Sequence, residues 1–232
     1  MFYYGFDMTY FILVLPAVIF ALWAQANVSG TFNKYSKVDV RGMTGYDSAR
    51  AILDANGLTH IRIEHISGDL TDHFDPRSNV IRLSDRVFSS SSAAAVGVAA
   101  HEAGHAIQHA VGYFPMKIRG AIIPITNIGS NLAVPLIIFG ILLSYPPLSY
   151  IGAAAFGLST VFQLVTLPVE FDASRRAMSA LRESGRMTQD EIKASARVLH
   201  AAALTYVAAL AVSLANLLRI LSIVKRSDNR RR

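Results

Sequence analysis

The chain has 232 residues, no cysteine and a formal net charge of +6, and 52% of its residues are hydrophobic. A mean hydropathy of +0.36 excludes an ordinary water-soluble domain as the whole answer and makes lipid part of the solvent. The lack of cysteine excludes disulfides and thiolate metal sites, and basic residues that sit beside apolar runs, not interleaved with aromatics, exclude a nucleic-acid surface in favour of membrane flanks.

Residues 8–26, MTYFILVLPAVIFALWAQA, carry no charge and are long enough to cross a bilayer core of about 30 Å. Asp7 stands where a signal peptide would carry Lys or Arg, so residues 1–27 read as a retained membrane helix and not as a cleaved signal. A polar linker, NVSGTFNKYSKVDVRG, follows. In TGYDSARAILDANGL, residues 44–58, Ala49, Ile52, Leu53 and Leu58 recur at helical spacing and Gly57 follows Asn56 as a stop, which predicts a short amphipathic helix. HIRIEHIS and VIRLSDRVF alternate apolar and polar positions around the turn-rich GDLTDHFDPRSN, so they read as two strands of a small sheet. Ser89 to Ser92 then offer hydroxyls to cap the next helix.

That helix, AAAVGVAAHEAGHAIQHAVGY over residues 93–113, holds His101, Glu102 and His105 in one helical pattern. Histidines four apart share a helix face, so both imidazoles can reach a single tetrahedral Zn²⁺, and Glu102 can deprotonate a water that the metal activates. Gly104 inside the motif favours close packing. The longer pattern HExxHxxGxxH is absent, because Gln108 and Val111 stand in place of its Gly and last His. Two histidines leave a catalytic zinc one protein ligand short, so the third comes from elsewhere.

Residues 125–168 contain an apolar run from Ile128 to Leu143 and a second, LSYIGAAAFGLSTVFQLVTLP, after Pro146 and Pro147; together they read as a membrane hairpin. Asn127 and Asn131 at its entrance read as interfacial polar groups, with interhelical hydrogen-bond formers as the alternative. Residues 169–200 are charged and helical in composition, broken at Gly185, with Thr188 and Glu191 in capping-box spacing. Residues 201–232 form an apolar helix ending in KRSDNRRR, either a fourth span or a helix lying along the water-facing part. Lys34, Lys37, Arg41, Lys117, Arg119, Arg175 and Arg176 flank the HEAGH side, whereas the N-terminus and the Pro146 loop carry no Lys or Arg, so the metal segment (28–124) is expected to face the cytoplasm. The basic tail opposes that orientation if the last helix spans, because four crossings leave both termini outside.

Glu170 is the expected third ligand, since the hairpin returns the chain to the membrane face from which it left. Its competing reading is a helix N-terminal acid favoured by the macrodipole, and Asp172 is the rival ligand, pointing to a different face. Glu102 is expected as general base. His109 drifts off the metal face and reads as a polar-face residue or a support behind the ligands; His73, in LTDHFDP, is a candidate hydrogen-bond donor to the transition state. His60 and His65 read as surface or turn residues.

The runs TDHFDPRSNVIRLS, VAAHEAGHAIQHAVGYFP, LPVEFDASRRA and ALTYVAAL closely resemble the YugP-like neutral zinc metallopeptidases, a family of bacterial membrane proteins. The resemblance covers residues 44 to about 221 and implies a membrane-bound zinc protease, with His101 and His105 at the metal-ligand positions, Glu102 at the catalytic glutamate and Glu170 at the glutamate of EFDAS. The order of metal helix, hairpin and third-ligand helix is also similar to that of HtpX-type membrane proteases, which carry an Asp four residues after that glutamate; here the position is Ser174, and Asp172 is left for a different role.

The fold expected is α+β: a mainly helical multi-pass protein of the inner cell membrane with a small zincin-like metallopeptidase domain. The function expected is a gluzincin-like metalloendopeptidase with one catalytic Zn²⁺, acting on protein or peptide substrates in or near the bilayer. The strand VIRLSDRVF is expected to receive an extended substrate by strand addition. The charged strands and serines around the metal helix argue against a site inside the bilayer. The reading from a different class is a non-catalytic scaffold or chaperone-like protein with a structural metal. No stretch of the sequence specifies a substrate, an oligomeric state or a regulator.

Overall fold

Backbone polar groups in lipid must be satisfied within their own segment, and the four apolar stretches of this chain are all helical. A computed structural model describes residues 8–229; the flank around Asp7 and the last arginines of the basic tail lie outside the described residues. A π-helical start, Tyr10–Val14, runs into α1, Leu15–Tyr35. Then come α2 (Gly45–Ala55), β1 (Arg62–His65), β2 (His73–Asp75), β3 (Val80–Leu83), α3 (Ala93–Ala110), α4 (Phe114–Leu142), α5 (Pro146–Glu183) and α6 (Gln189–Asn229). The fold is thus mainly helical with one small sheet, and the helical segments Tyr10–Tyr35, Phe114–Leu142, Pro146–Glu183 and Gln189–Asn229 are each long and apolar enough to cross a membrane.

The chain divides into two compact units. One comprises the chain up to Ala24, Ile118–Thr166 and the chain from Thr205. Ile125, Ile128, Phe139, Leu142 and Leu164 are exposed on it, a surface that water would penalise and acyl chains do not. Inside this unit α4 and α5 approach through small residues: Gly140 lies against Ser149, and Gly152 against Ala133 and Ile137.

The other unit, Gln25–Lys117 with Leu167–Leu204, has a core of Leu53, Ile61, Ile81, Leu83, Val87, the alanines of α3, Leu181 and Val198. Thr44 caps α2 in a reciprocal box with Asp47, and Gly57 leaves the helix at φ +72°, a conformation that other residues rarely adopt. As the spacing predicts, Ala49, Ile52 and Leu53 face inward. Ser92 caps α3, accepting from the Ala95 N–H at 3.2 Å.

The sheet departs from the expected strand pair. Its order is β1-β3-β2, with β1 parallel and β2 antiparallel to β3. His73–Asp75, inside the stretch expected to be only turn, is a strand: the Asp75 carboxylate accepts from the Arg77 N–H and the Ser78 hydroxyl and closes the loop into β3. Three residues flanked by turn chemistry are too few to register as alternation. β3 also stops at Leu83, where the Asp72 carboxylate takes the Ser84 N–H at 2.7 Å and its hydroxyl at 2.9 Å. Because β3 is central and paired on both edges, it has no free edge for an incoming strand. Other boundaries move outward. Residues read as linker continue α1 to Tyr35 because Phe32 is buried in the core, so tertiary packing overrides weak local propensity.

Gly104 in α3 packs against the backbone of α5 at Ala173, where an added Cβ would overlap the carbonyl oxygen. Gly30 in α1 has no atom within 4 Å of such a Cβ. Helix propensity favours alanine at both sites by about 1 kcal/mol, so the pair separates propensity from packing. Gly30→Ala is expected to raise the unfolding midpoint in detergent, whereas Gly104→Ala is expected to lower stability by about 1–3 kcal/mol through overpacking. Equal shifts from the two would contradict the close approach of α3 and α5.

Candidate metal centre

The small residues of α3 let it lie buried between α2, the sheet and α5, with Glu102, His105 and Gln108 among its buried residues. His101 and His105, one turn apart, present their rings edge to face with centroids 4.6 Å apart. Their Nε2 atoms both face the Glu170 carboxylate oxygen Oε2, at 3.2 Å for His101 and 3.5 Å for His105. Glu170 projects from α5 and is 2% exposed. A buried carboxylate demands a cation or several donors, and here it meets two imidazoles.

The three donors lie within 4.8 Å of one another. Zinc bonds of about 2.0–2.1 Å in a tetrahedron place its ligand atoms about 3.3 Å apart, close to the spacing of the two histidine nitrogens from Glu170. Two imidazole nitrogens and one carboxylate oxygen are also a donor set that suits this borderline metal and leaves a fourth position for water or substrate. The residues present therefore fit a catalytic zinc.

Behind the donors each imidazole has a partner on its other nitrogen. His101 Nδ1 is 3.1 Å from the hydroxyl of Ser174, the residue four places after Glu170. His105 Nδ1 is 3.0 Å from Gln108 Oε1. The Gln108 amide nitrogen donates to the Val169 carbonyl at 2.7 Å and to Asp172 at 2.9 Å. Asp172 accepts from Arg176 Nε at 2.6 Å and also from Arg175. It lies outside the metal cluster, two residues from Glu170 and facing Gln108. Gln108 and Ser174 were not singled out as site residues from the sequence; an amide at full burial on a face otherwise of alanine and glycine is the signal that marks Gln108.

The remaining candidates separate. Glu102 is buried on α3, and its charge acts on both His105 and Asp72. Asp72, the residue that ends β3, has its pKa raised by burial and by Glu102, against the hydrogen bonds from Ser84. His73 is exposed on β2, its Nδ1 2.8 Å from the Thr71 carbonyl and its Nε2 3.5 Å from Arg82; these partners do not join it to the metal donors. His109 is exposed and lies against the ring of Phe74, centroids 5.8 Å apart, so it packs α3 on β2.

A family profile described as "Putative neutral zinc metallopeptidase" matches residues 10–225. The chain is similar to the "Putative membrane protease YugP" of Bacillus subtilis (strain 168), at 44% identity over 217 residues that cover 93% of this chain and 96% of that protein. No solved structure matches it significantly.

In the metal-free site burial favours neutral His105, but the hydrogen bond and charge of Glu170 and the charge of Glu102 outweigh it, so its pKa is raised above 6.5. A metal needs the bare nitrogen and must displace that proton. Zinc affinity is therefore expected to be full at alkaline pH and to fall as pH drops through the raised pKa. Chelator competition at a series of pH values from about 6 to about 9 reads this directly, and a flat profile would contradict it.

Proposed function

The chain belongs to the family described as "Putative neutral zinc metallopeptidase", and on that premise we propose that it is a membrane-resident endopeptidase of the gluzincin kind. In this reading His101, His105 and Glu170 hold one zinc ion and Glu102 is the general base of a small zincin-like domain. The observation that carries it is the convergence of two Nε2 atoms and one buried carboxylate oxygen at the spacing of a tetrahedral site.

Zinc bound there would polarise the scissile carbonyl and acidify an attacking water. Glu102, next to His101 on the buried face of α3, takes a proton from that water as its oxygen adds to the carbonyl carbon. It then delivers the proton to the amine nitrogen as the C–N bond breaks. β2 replaces β3 as the strand to which an extended substrate adds: it pairs with β3 on one edge and packs on α3 beside the site through Phe74 and His109. The four apolar helices anchor the protein in the cell membrane, and the basic flanks of the HExxH segment favour the cytoplasmic side for it, against the pull of the basic tail after α6. Its substrates are proteins in or near the bilayer.

Glu102→Gln is expected to lower cleavage of fluorescently labelled casein by at least about 100-fold while leaving bound zinc unchanged. Unchanged turnover would sink the mechanism, and metal retained with no cleavage by the wild type, in the assay or in a proteome comparison, would favour the scaffold reading. Glu170→Ala is expected to remove most of the zinc measured by elemental analysis; full occupancy and activity would move the third ligand elsewhere. The chain lacks cysteine, so a single exposed cysteine, Arg77→Cys, reports orientation cleanly. It is expected to resist a membrane-impermeant maleimide added to intact cells and to react after lysis; labelling in intact cells would reverse the topology.

A further inference from the structure

The Gln108 amide sits between two groups that can only accept and one that can do either. On one side are the Val169 carbonyl and the Asp172 carboxylate, the latter ionised between Arg175 and Arg176. Only an N–H₂ group can satisfy both, so the amide nitrogen must face them and Oε1 must face His105 Nδ1. A carbonyl oxygen accepts and never donates, so Nδ1 must carry the hydrogen and Nε2 is left bare toward the metal position. Gln108 is 0% exposed, and no bulk water can substitute for a missing partner. The reversed amide would set its oxygen against two acceptors and turn N–H₂ toward Nδ1, which would shift the imidazole hydrogen to Nε2 and block it. His101 has no such constraint, because the Ser174 hydroxyl can donate or accept.

We propose that Gln108 is the positioning residue that holds His105 in its Nδ1–H tautomer, and that Asp172 is the anchor that decides which way the Gln108 amide faces. This rests on the reading of His101, His105 and Glu170 as zinc ligands. It also gives Asp172 its role: the carboxylate reaches the metal position through one amide and one imidazole, and the position that is glycine in HExxHxxGxxH is here part of that link.

The test is zinc affinity of the full-length protein in detergent, measured by competition with a chromophoric chelator. Gln108→Met preserves length and removes both hydrogen-bonding ends. It is expected to weaken zinc binding by about 10- to 100-fold. Asp172→Leu keeps similar size, leaves Gln108 in place and removes the anchoring carboxylate, so it tests the link without changing what packs on His105. It is expected to weaken zinc binding as well, by less than Gln108→Met, because the Val169 carbonyl still holds the amide. Wild-type affinity in Gln108→Met would overturn the proposal, as would wild-type affinity in Asp172→Leu, which would remove the anchor and assign the Gln108→Met loss to packing alone. Should Gln108→Met fail to fold, the nitrogen-15 shifts of labelled histidine in the zinc-loaded wild type decide: His105 Nδ1 must appear as a protonated nitrogen, and an unprotonated Nδ1 overturns the assignment. A wild type that binds no zinc would instead sink the metal site itself, an outcome distinct from equal binding by all three proteins.

Discussion

The close approach of α3 and α5 at Gly104 and Ala173 is the constraint on which the candidate site depends. Glu170 stands 69 residues from His101 in the chain, and no local feature joins them. The missing Cβ at Gly104 lets the two backbones meet, and one turn of helix either side then sets the carboxylate against both imidazoles. A helix of larger residues would carry the same HExxH motif and leave it without its third donor, since helix separation follows the size of the side chains at the contact.

That approach buries polar groups at high density. Glu102, His105, Gln108, Glu170 and Asp172 are all withdrawn from water in a region otherwise of alanine, valine and glycine. In a low-dielectric surrounding each unsatisfied group would cost more than an apolar replacement, whereas a fully connected set stiffens its members. The connections run from Arg175 and Arg176 through Asp172 and Gln108 to His105, and from Ser174 to His101. Imidazoles held on the far nitrogen present the near one in a fixed direction, which is the condition for tight metal binding.

Two solvents shape the chain. In the unit built from the apolar helices, small residues face inward and large aliphatic ones face out, the arrangement that suits lipid, where burying aliphatic surface gains little and close backbone contact gains more. In the unit carrying the sheet, the ordinary aqueous pattern holds, with Leu53, Ile81, Leu83 and Val87 inside and Arg77 and Ser78 exposed.

By itself the sequence determined the features written in near neighbours. The Thr188 and Glu191 box, the inward stripe of Ala49, Ile52 and Leu53, the Ser92 cap, the four apolar helices and the shared face of His101 and His105 all follow from spacings of four residues or fewer or from unbroken apolar runs. Tertiary structure decided the rest. The parallel pairing of β1 with β3, the short strand β2 that displaced β3 from the sheet edge, and the Gln108 link to Asp172 across 64 residues depend on which surfaces meet. A hydrogen bond between distant residues leaves no period in the sequence; its partners become visible only when packing has removed the water that each would otherwise bind.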